Sequence, residues 1–243
     1  MMLALDAGNT RIKWGVFDDA DRLVQTGAVE NHDLTALDGQ LKTLHGLRRA
    51  AVSCVADETV ATHLTRTLNA LNIPALWLKS QAEACGVRNA YRHPETLGSD
   101  RWAALIAAWN IHHAPCIVVN AGTAMTVDAL SAQGEFLGGL IVPGLSMMRN
   151  ALARDTSASI PPEGEWRDFP QSTADAVQSG LLAASAGAVR HMEQLLAQRE
   201  GRAPLCILCG GNADALAAAL TMPVIQNPHL VLHGLMLLEK TTL

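Results

Sequence analysis

Asp6-Ala-Gly-Asn-Thr-Arg-Ile-Lys13 sits between two apolar runs, Leu3–Asp6 and Ile12–Phe17, and decides how the chain begins to fold. Gly-Asn is turn chemistry and the flanking runs are rich in β-formers, so the segment predicts a hairpin. A second turn at Asp18–Arg22 leads to a third strand at Leu23–Val29. The same order returns at Cys116–Asn120, Ala121-Gly-Thr-Ala124, Met125–Leu130, a turn at Ser131–Gly134, and Phe136–Val142. Gly8 and Gly122 each stand two places after a polar residue that ends a strand, Asp6 or Asn120. One glycine hairpin often resembles another by accident. Three strands and both turn lengths repeating point instead to an internal duplication.

The first meander is followed by helical spacing over Leu34–Leu44 and Asp57–Leu71, with strands at Ala50–Val55 and Ala75–Leu78. The second is followed by helices at Leu145–Leu152 and Thr173–Arg199, a strand at Leu205–Cys209 and a helix near Leu230–Glu239. Arg154–Pro170, with Pro161, Pro162 and Pro170, reads as a loop. The chain divides into halves at 1–114 and 115–243. Each half predicts a mixed sheet flanked by helices, an α/β class whose ligands bind in a cleft where the two glycine turns can face each other.

The 243 residues are 49% hydrophobic and only 17% charged, which excludes a disordered chain. With a net charge of −5 and no basic cluster beyond Arg48-Arg49, nucleic acid is not an expected partner. The low charged fraction also suggests that another subunit covers some surface. Five scattered cysteines, an odd number, fit reduced thiols in the cytoplasm rather than a disulfide framework. The opening Met-Met-Leu-Ala-Leu-Asp is no signal peptide, and no apolar run reaches 18 residues, so neither secretion nor a membrane is expected.

Gly8 lets a turn approach a ligand closely, and successive N–H groups in such a turn make an anion-binding concavity. Asn9 and Thr10 add donors, Lys13 a point charge, and Asp6 a ligand for Mg2+ directly or through water. The plainer reading is a tight hairpin whose Asp caps its own turn. The second turn at Ala121-Gly-Thr-Ala124 favours a pair of loops that clamp a polyphosphate. Neither loop is a P-loop or a dinucleotide fingerprint, and Asn120 in the second copy excludes a paired-aspartate protease.

Leu97-Gly-Ser-Asp-Arg-Trp102 opens a helix with Ser99 as its N-cap. Its apolar stripe is Trp102, Leu105, Ile106 and Trp109, which turns Asp100 away from the core toward solvent or a cleft. On helix geometry alone, Asp100 reads as complementing the helix dipole. Cys206 and Cys209 fall on opposite faces of an apolar strand and read as packing, and His112-His113 reads as a helix end. Gly210-Gly-Asn212 is either a plain turn into a helix or a place for a flat ring on the backbone. Ser172-Thr173-Ala-Asp175 resembles a capping box.

In order along the chain stand Asp6–Lys13, Asn89-Ala-Tyr91, Leu97-Gly-Ser-Asp-Arg101, Ala121-Gly-Thr-Ala-Met-Thr126 with Asp128, Gly138-Gly-Leu-Ile-Val-Pro-Gly144, Thr173, and Gly210-Gly-Asn212. This ordered set resembles the type III pantothenate kinase family, also met as the Bvg accessory factor family, from residue 3 to about 235. The resemblance implies a duplicated actin-like ATPase fold (sugar kinase, Hsp70, actin; ribonuclease H-like halves). It implies transfer of the γ-phosphoryl group of ATP to pantothenate, the first step toward coenzyme A. Asp6, Ala7, Gly8, Asn9, Thr10, Arg11, Ile12 and Lys13 would hold ATP phosphates and Mg2+, with Thr123 contributing from the second loop. Tyr91, Gly98, Ser99, Asp100, Arg101 and Thr173 would surround pantothenate, with Asp100 as general base and Arg101 the partner of the substrate carboxylate. The Gly210 segment would serve adenosine. Many relatives carry Asp where this chain has Asn120, and use it with a monovalent cation; dependence on K+ or NH4+ is therefore expected to be weak or absent. A homodimer is implied. A non-catalytic accessory protein and a kinase for another small hydroxyl compound are the alternatives; Asp6 and Asp100, both retained, argue against the first.

Overall fold

The computed structural model describes residues 1–156, 161 and 164–241. They form two compact units, Met1–His112 with His229–Leu243, and His113–Pro228. The first unit opens with β1 (Met2–Ala7), β2 (Arg11–Phe17) and β3 (Leu23–Glu30), then α1 (Leu34–Lys42), β4 (Arg49–Cys54), α2 (Glu58–Ala70) and β5 (Ala75–Trp77). Short strands β6 (Glu83–Ala84) and β7 (Val87–Asn89), a 3-10 turn at Pro94–Thr96 and α3 (Ser99–His112) follow. The second unit holds β8 (Cys116–Ala121), β9 (Ala124–Leu130), β10 (Glu135–Pro143), α4 (Leu145–Asp155), α5 (Thr173–Glu200), β11 (Leu205–Cys209), α6 (Ala213–Ala217) and β12 (Val224–Gln226). The chain then returns to the first unit as α7 (Leu230–Thr241).

Sheet topology bears out the duplication. The first sheet runs β3-β2-β1-β4-β5, and in the second unit the order β10-β9-β8-β11-β12 repeats it. In each, the first strand pairs antiparallel with the second and parallel with the strand after the helices. The second turns match: five residues separate the paired Phe17 and Leu23, and five separate Leu130 and Phe136. The first turns do not. Four residues lie between the paired Ala7 and Ile12, three between Ala121 and Met125.

Alternation along the strands sorts the first sheet into two faces. Leu3, Leu5, Ala7, Ile12, Trp14, Val16, Ala50 and Val52 join Leu37 and Leu41 of α1 and Leu64 and Leu68 of α2 in one core. Asp33 and Asp57 start those two helices by accepting the Ala36 and Val60 N–H groups. The residues between (Met2, Ala4, Asp6 on β1; Lys13, Gly15, Phe17 on β2; Arg49, Ala51, Ser53 on β4) share the opposite face. There α3 and α7 pack. Phe17 meets His233 edge-on, 5.6 Å between ring centres, and Arg49 pairs with the buried Glu239 at 2.8 Å.

Two expectations change here. Placing the C-terminal helix with the second half does not match the structure: α7 is buried almost all round, through Leu230, Leu232, Leu235 and Leu238, within the first unit. Truncating any of these leucines to alanine would cost about 2–5 kcal/mol. Its Gly234 lies so close to α3 that a Cβ there would sit 1.9 Å from the Ala103 carbonyl. The one-sided stripe expected on α3 is also corrected. Arg101 and Trp102 through Ala108 are all buried, because four alanines let neighbours approach the sides the stripe leaves out, while Trp109 is only partly buried.

In the second unit, α5 begins at the predicted cap, Ser172 accepting the Asp175 N–H at 3.1 Å, and ends at Gly201 with φ 67°. Leu182, Ala186, Val189 and Leu196 of this helix close the core over Ile117, Val119, Met125, Val127, Cys206 and Leu208. All five cysteines are free. Arg154 and Asp155 still belong to α4, and the rest of the predicted loop falls partly outside the described residues, at 157–160 and 162–163. Among the described residues no helix is long and apolar enough to cross a membrane.

Candidate active site

At the carboxyl end of the first sheet, register sets three polar side chains in a row on the face that carries α3. Asp6 pairs with Lys13 on β2 and with Ser53 on β4. Above the row stands the first turn of α3. The hydroxyls of Ser53 and Ser99, both buried, share a hydrogen bond of 2.8 Å. Ser99 is therefore not the N-cap expected of it. It is already helical, and the Trp102 N–H bonds the Gly98 carbonyl at 3.0 Å.

This brings Asp100 into the field of Asp6. Burial, then the Asp100 charge, push the Asp6 carboxyl up to about 7, with the Lys13 ammonium opposing the rise. Burial also raises Asp100, against the Arg101 N–H, which donates to its Oδ1 at 2.8 Å, and against the Arg101 charge. Of the two outlooks the helical stripe left to Asp100, solvent or a cleft, its partial burial fits the second. Asp100 is a partly buried carboxyl close to a second one. A Cβ at Gly98 would lie 2.7 Å from Asp100 Oδ1, so glycine there leaves the carboxylate room.

The predicted phosphate turn is braced from behind. Gly8 N–H donates to the Arg11 carbonyl at 3.0 Å, Asn31 N–H to the Thr10 carbonyl at 2.8 Å, and the Asn31 side chain to the Asn9 carbonyl. Asn9 and Thr10 are exposed. Arg11 is engaged by Glu30 at 2.7 Å. Ala7 and Ile12 bury their side chains in the core, so only their backbone groups remain for a ligand. Beside α3, Asn89 organises the preceding loop, accepting the Tyr91 N–H at 3.1 Å and donating to the Pro94 carbonyl at 3.1 Å. The buried Arg101 guanidinium lies 5.8 Å from the centre of the Tyr91 ring.

In the second unit the equivalent row is neutral: Asn120 pairs with Thr126 on β9 and Cys209 on β11. The Gly122 turn is held by Gly144, whose N–H donates to the Thr123 carbonyl at 2.9 Å, leaving the Thr123 side chain exposed. Gly210, at φ 96°, presses on the Ala121 backbone, and the Asn212 N–H donates to the Ala121 carbonyl at 3.0 Å. Thr173 is the exposed first residue of α5. Sequence reasoning missed three contributors: Ser53, Asn31 and His229, whose basicity is lowered by burial and then by the Lys13 charge. A lone serine in the apolar run Ala50–Val55 was the available signal for the first.

Among the described residues no three His, Cys, Asp or Glu gather into a metal cage. A divalent ion at Asp6 would share its remaining positions between ligand oxygens and water, which is the habit of Mg2+.

A duplicated mixed sheet with a glycine turn in each copy is the architecture of actin-like ATPases and sugar kinases. A ROK family glucokinase from Streptomyces griseus, solved with glucose and AMPPNP, superposes with a TM-score of 0.53 at 11% identity, covering 96% of this chain and 97% of that one. A Baf family protein from Campylobacter jejuni, described as a transcriptional activator, superposes at 0.62 and 22% identity, covering 99% and 98%. These likenesses carry the fold. The sequence goes further: the family model for type III pantothenate kinase matches residues 2–194. A type III pantothenate kinase of Nitrosospira multiformis is 44% identical over 242 residues, 100% of this chain and 92% of that protein, and one of Aromatoleum aromaticum is 43% identical over 99% and 98%. The chain belongs to the type III pantothenate kinase family.

Proposed function

We infer that this chain transfers the γ-phosphoryl group of ATP to the primary hydroxyl of pantothenate, giving 4'-phosphopantothenate and opening coenzyme A biosynthesis. The observation that carries the mechanism is the pairing of two inequivalent carboxyls, Asp6 beside Lys13 in the sheet and Asp100 on the first turn of α3. Phosphoryl transfer asks mainly for positioning and charge neutralisation. Asp6 would hold Mg2+, which when bound neutralises phosphate charge. The backbone from Ala7 to Ile12, with Asn9, Thr10, Arg11 and Lys13, would cradle phosphates, and Thr123 would add a contact from the second turn.

Asp100 would accept the proton of the attacking hydroxyl. A carboxyl raised by burial is a better proton acceptor than an exposed one. Arg101, steadied by Tyr91, would take the pantothenate carboxylate, for which a guanidinium is the matching donor. Gly98, Ser99 and Thr173 would complete the substrate's surroundings. Asn120 offers a neutral carbonyl oxygen to K+ or NH4+, so activation by either should be weak.

The enzyme would work in the cytoplasm as a homodimer. The exposed Ile141, Met147, Leu152 and Phe169 support a covered surface on the second unit. ADP release with pantothenate, set against a panel of sugars, tests the reading. Pantothenate-dependent turnover yielding a product heavier by one phosphoryl group supports it; turnover with a sugar and none with pantothenate overturns it.

A further inference from the structure

We propose that Ser53 is a positioning residue for Asp100, holding Ser99 and with it the first turn of α3 against the carboxyl end of β1 and β4. The inference rests on the reading of Asp100 as proton acceptor. Ser53 is fully buried on a strand where its same-face neighbour is Ala51, and a buried hydroxyl is tolerated only when it is hydrogen-bonded. Its bond goes to Ser99 Oγ at 2.8 Å, the residue immediately before Asp100.

Two backbone bonds at this helix end are local. Trp102 N–H reaches the Gly98 carbonyl, and Arg101 N–H reaches Asp100 itself. The serine pair therefore ties the helix to the sheet where the chemistry would occur. Because Ser53 is registered with Asp6, the same bond relates the base to the carboxylate that would hold the metal. In the second sheet the residue paired with Asn120 is Cys209, a much weaker hydrogen-bonding group, and that strand is followed by a glycine turn. The serine pair stands in the copy that carries the charged row.

Loss of the tie would let the first turn of α3 relax by a fraction of an ångström, and misplacement by about 1 Å can cost about 10²-fold in rate. The test compares Ser53→Ala, Ser53→Thr, Ser99→Ala, the double alanine variant and Asp100→Asn, all as full chains with melting temperatures recorded. Ser53→Ala is expected to lower kcat by about 5–30-fold while KM for ATP stays within about twofold. Ser53→Thr, which keeps the hydroxyl, should recover most of the loss. The double variant should be no worse than the more impaired single one, because one bond is removed in all three.

Unchanged kcat in folded Ser53→Ala, losses that add in the double variant, or a rise in KM for ATP at constant kcat would each overturn the proposal. Should Ser53→Ala not fold, the same criteria apply to Ser99→Ala, with full kcat refuting and a fall confined to kcat supporting. Asp100→Asn separates the two claims. Activity retained there refutes the base itself, whereas inactivity there with full activity in Ser53→Ala refutes only the positioning.

Discussion

In the first unit the row beside the glycine turn is Lys13, Asp6 and Ser53; in the second the same register positions hold Thr126, Asn120 and Cys209. The first turn is one residue longer than the second, yet each glycine sits equally close to a carbonyl within its turn. A Cβ on Gly8 would lie 3.3 Å from a carbonyl oxygen three residues on, and one on Gly122 would lie 3.3 Å from a carbonyl two residues on. What differs is charge and company. The charged row is joined by the first turn of α3, bringing Asp100; the neutral row is flanked by the Gly210 turn folded onto Ala121. The duplicated backbone puts a glycine turn in each copy, while only one copy sets ionisable side chains beside it.

The contrast can be broken most directly at its charged end. Asp6→Asn is expected to lower kcat with Mg·ATP by about 10²-fold or more, while calorimetry shows pantothenate binding to the nucleotide-free protein unchanged. The same substitution has a signature in stability. With the folded carboxyl raised to about 7 from an ordinary 3.8, the native state holds the proton more tightly than the unfolded chain. The contribution of Asp6 is then fully present below about 4 and is lost as pH rises through 7. Asp6→Asn removes that slope, so its melting temperature should exceed the parent's at pH 8 and approach it at pH 4.

A smaller effect is expected where the second copy depends on shape alone. Gly210→Ala places a Cβ 2.6 Å from the Ala121 backbone at φ 96° and should destabilise by about 3 kcal/mol. Thermal melting with and without ATP checks it. The activity of surviving folded protein should be limited through KM for ATP, with kcat for pantothenate kept.

The smallest effect concerns Asn120. A carboxylate there, about 5 Å from a phosphate charge, would meet a repulsion of roughly 3 kcal/mol at an effective dielectric near 20. The parent should show little activation by KCl at matched ionic strength, and Asn120→Asp should acquire it. Strong activation of the parent would mean that backbone carbonyls or another acid hold the ion.

Much of this was legible in the sequence. Both meanders stand within a residue or two of their predicted places, because alternating β-formers bounded by Gly, Asn and Asp specify strands and turns locally. Asp6, Asp100 and Tyr91 came from ordered motifs. The return of α7 to the first unit was hidden, since no periodicity says which sheet a helix will cover. The burial of α3 on all sides from Arg101 to Ala108 was masked by its alanines, which count for little in an apolar stripe yet permit contact as close as Gly234 on Ala103. Ser53 stood out in the sequence only as a lone serine in an apolar run, and its register with Asp6 gave it a place in the site. The β6–β7 hairpin and β12 are two or three residues long, too short for any alternation to register, and Cys85 takes φ 47° without a turn residue's usual identity.

Asp100 as proton acceptor is tested most directly by the rate of pantothenate phosphorylation by Asp100→Asn beside its affinity for pantothenate. If Asp100 is the base, kcat falls by about 10²–10⁴-fold, the melting profile is unchanged and pantothenate binding alters only slightly. Activity near that of the parent, in a protein equally folded, would contradict it.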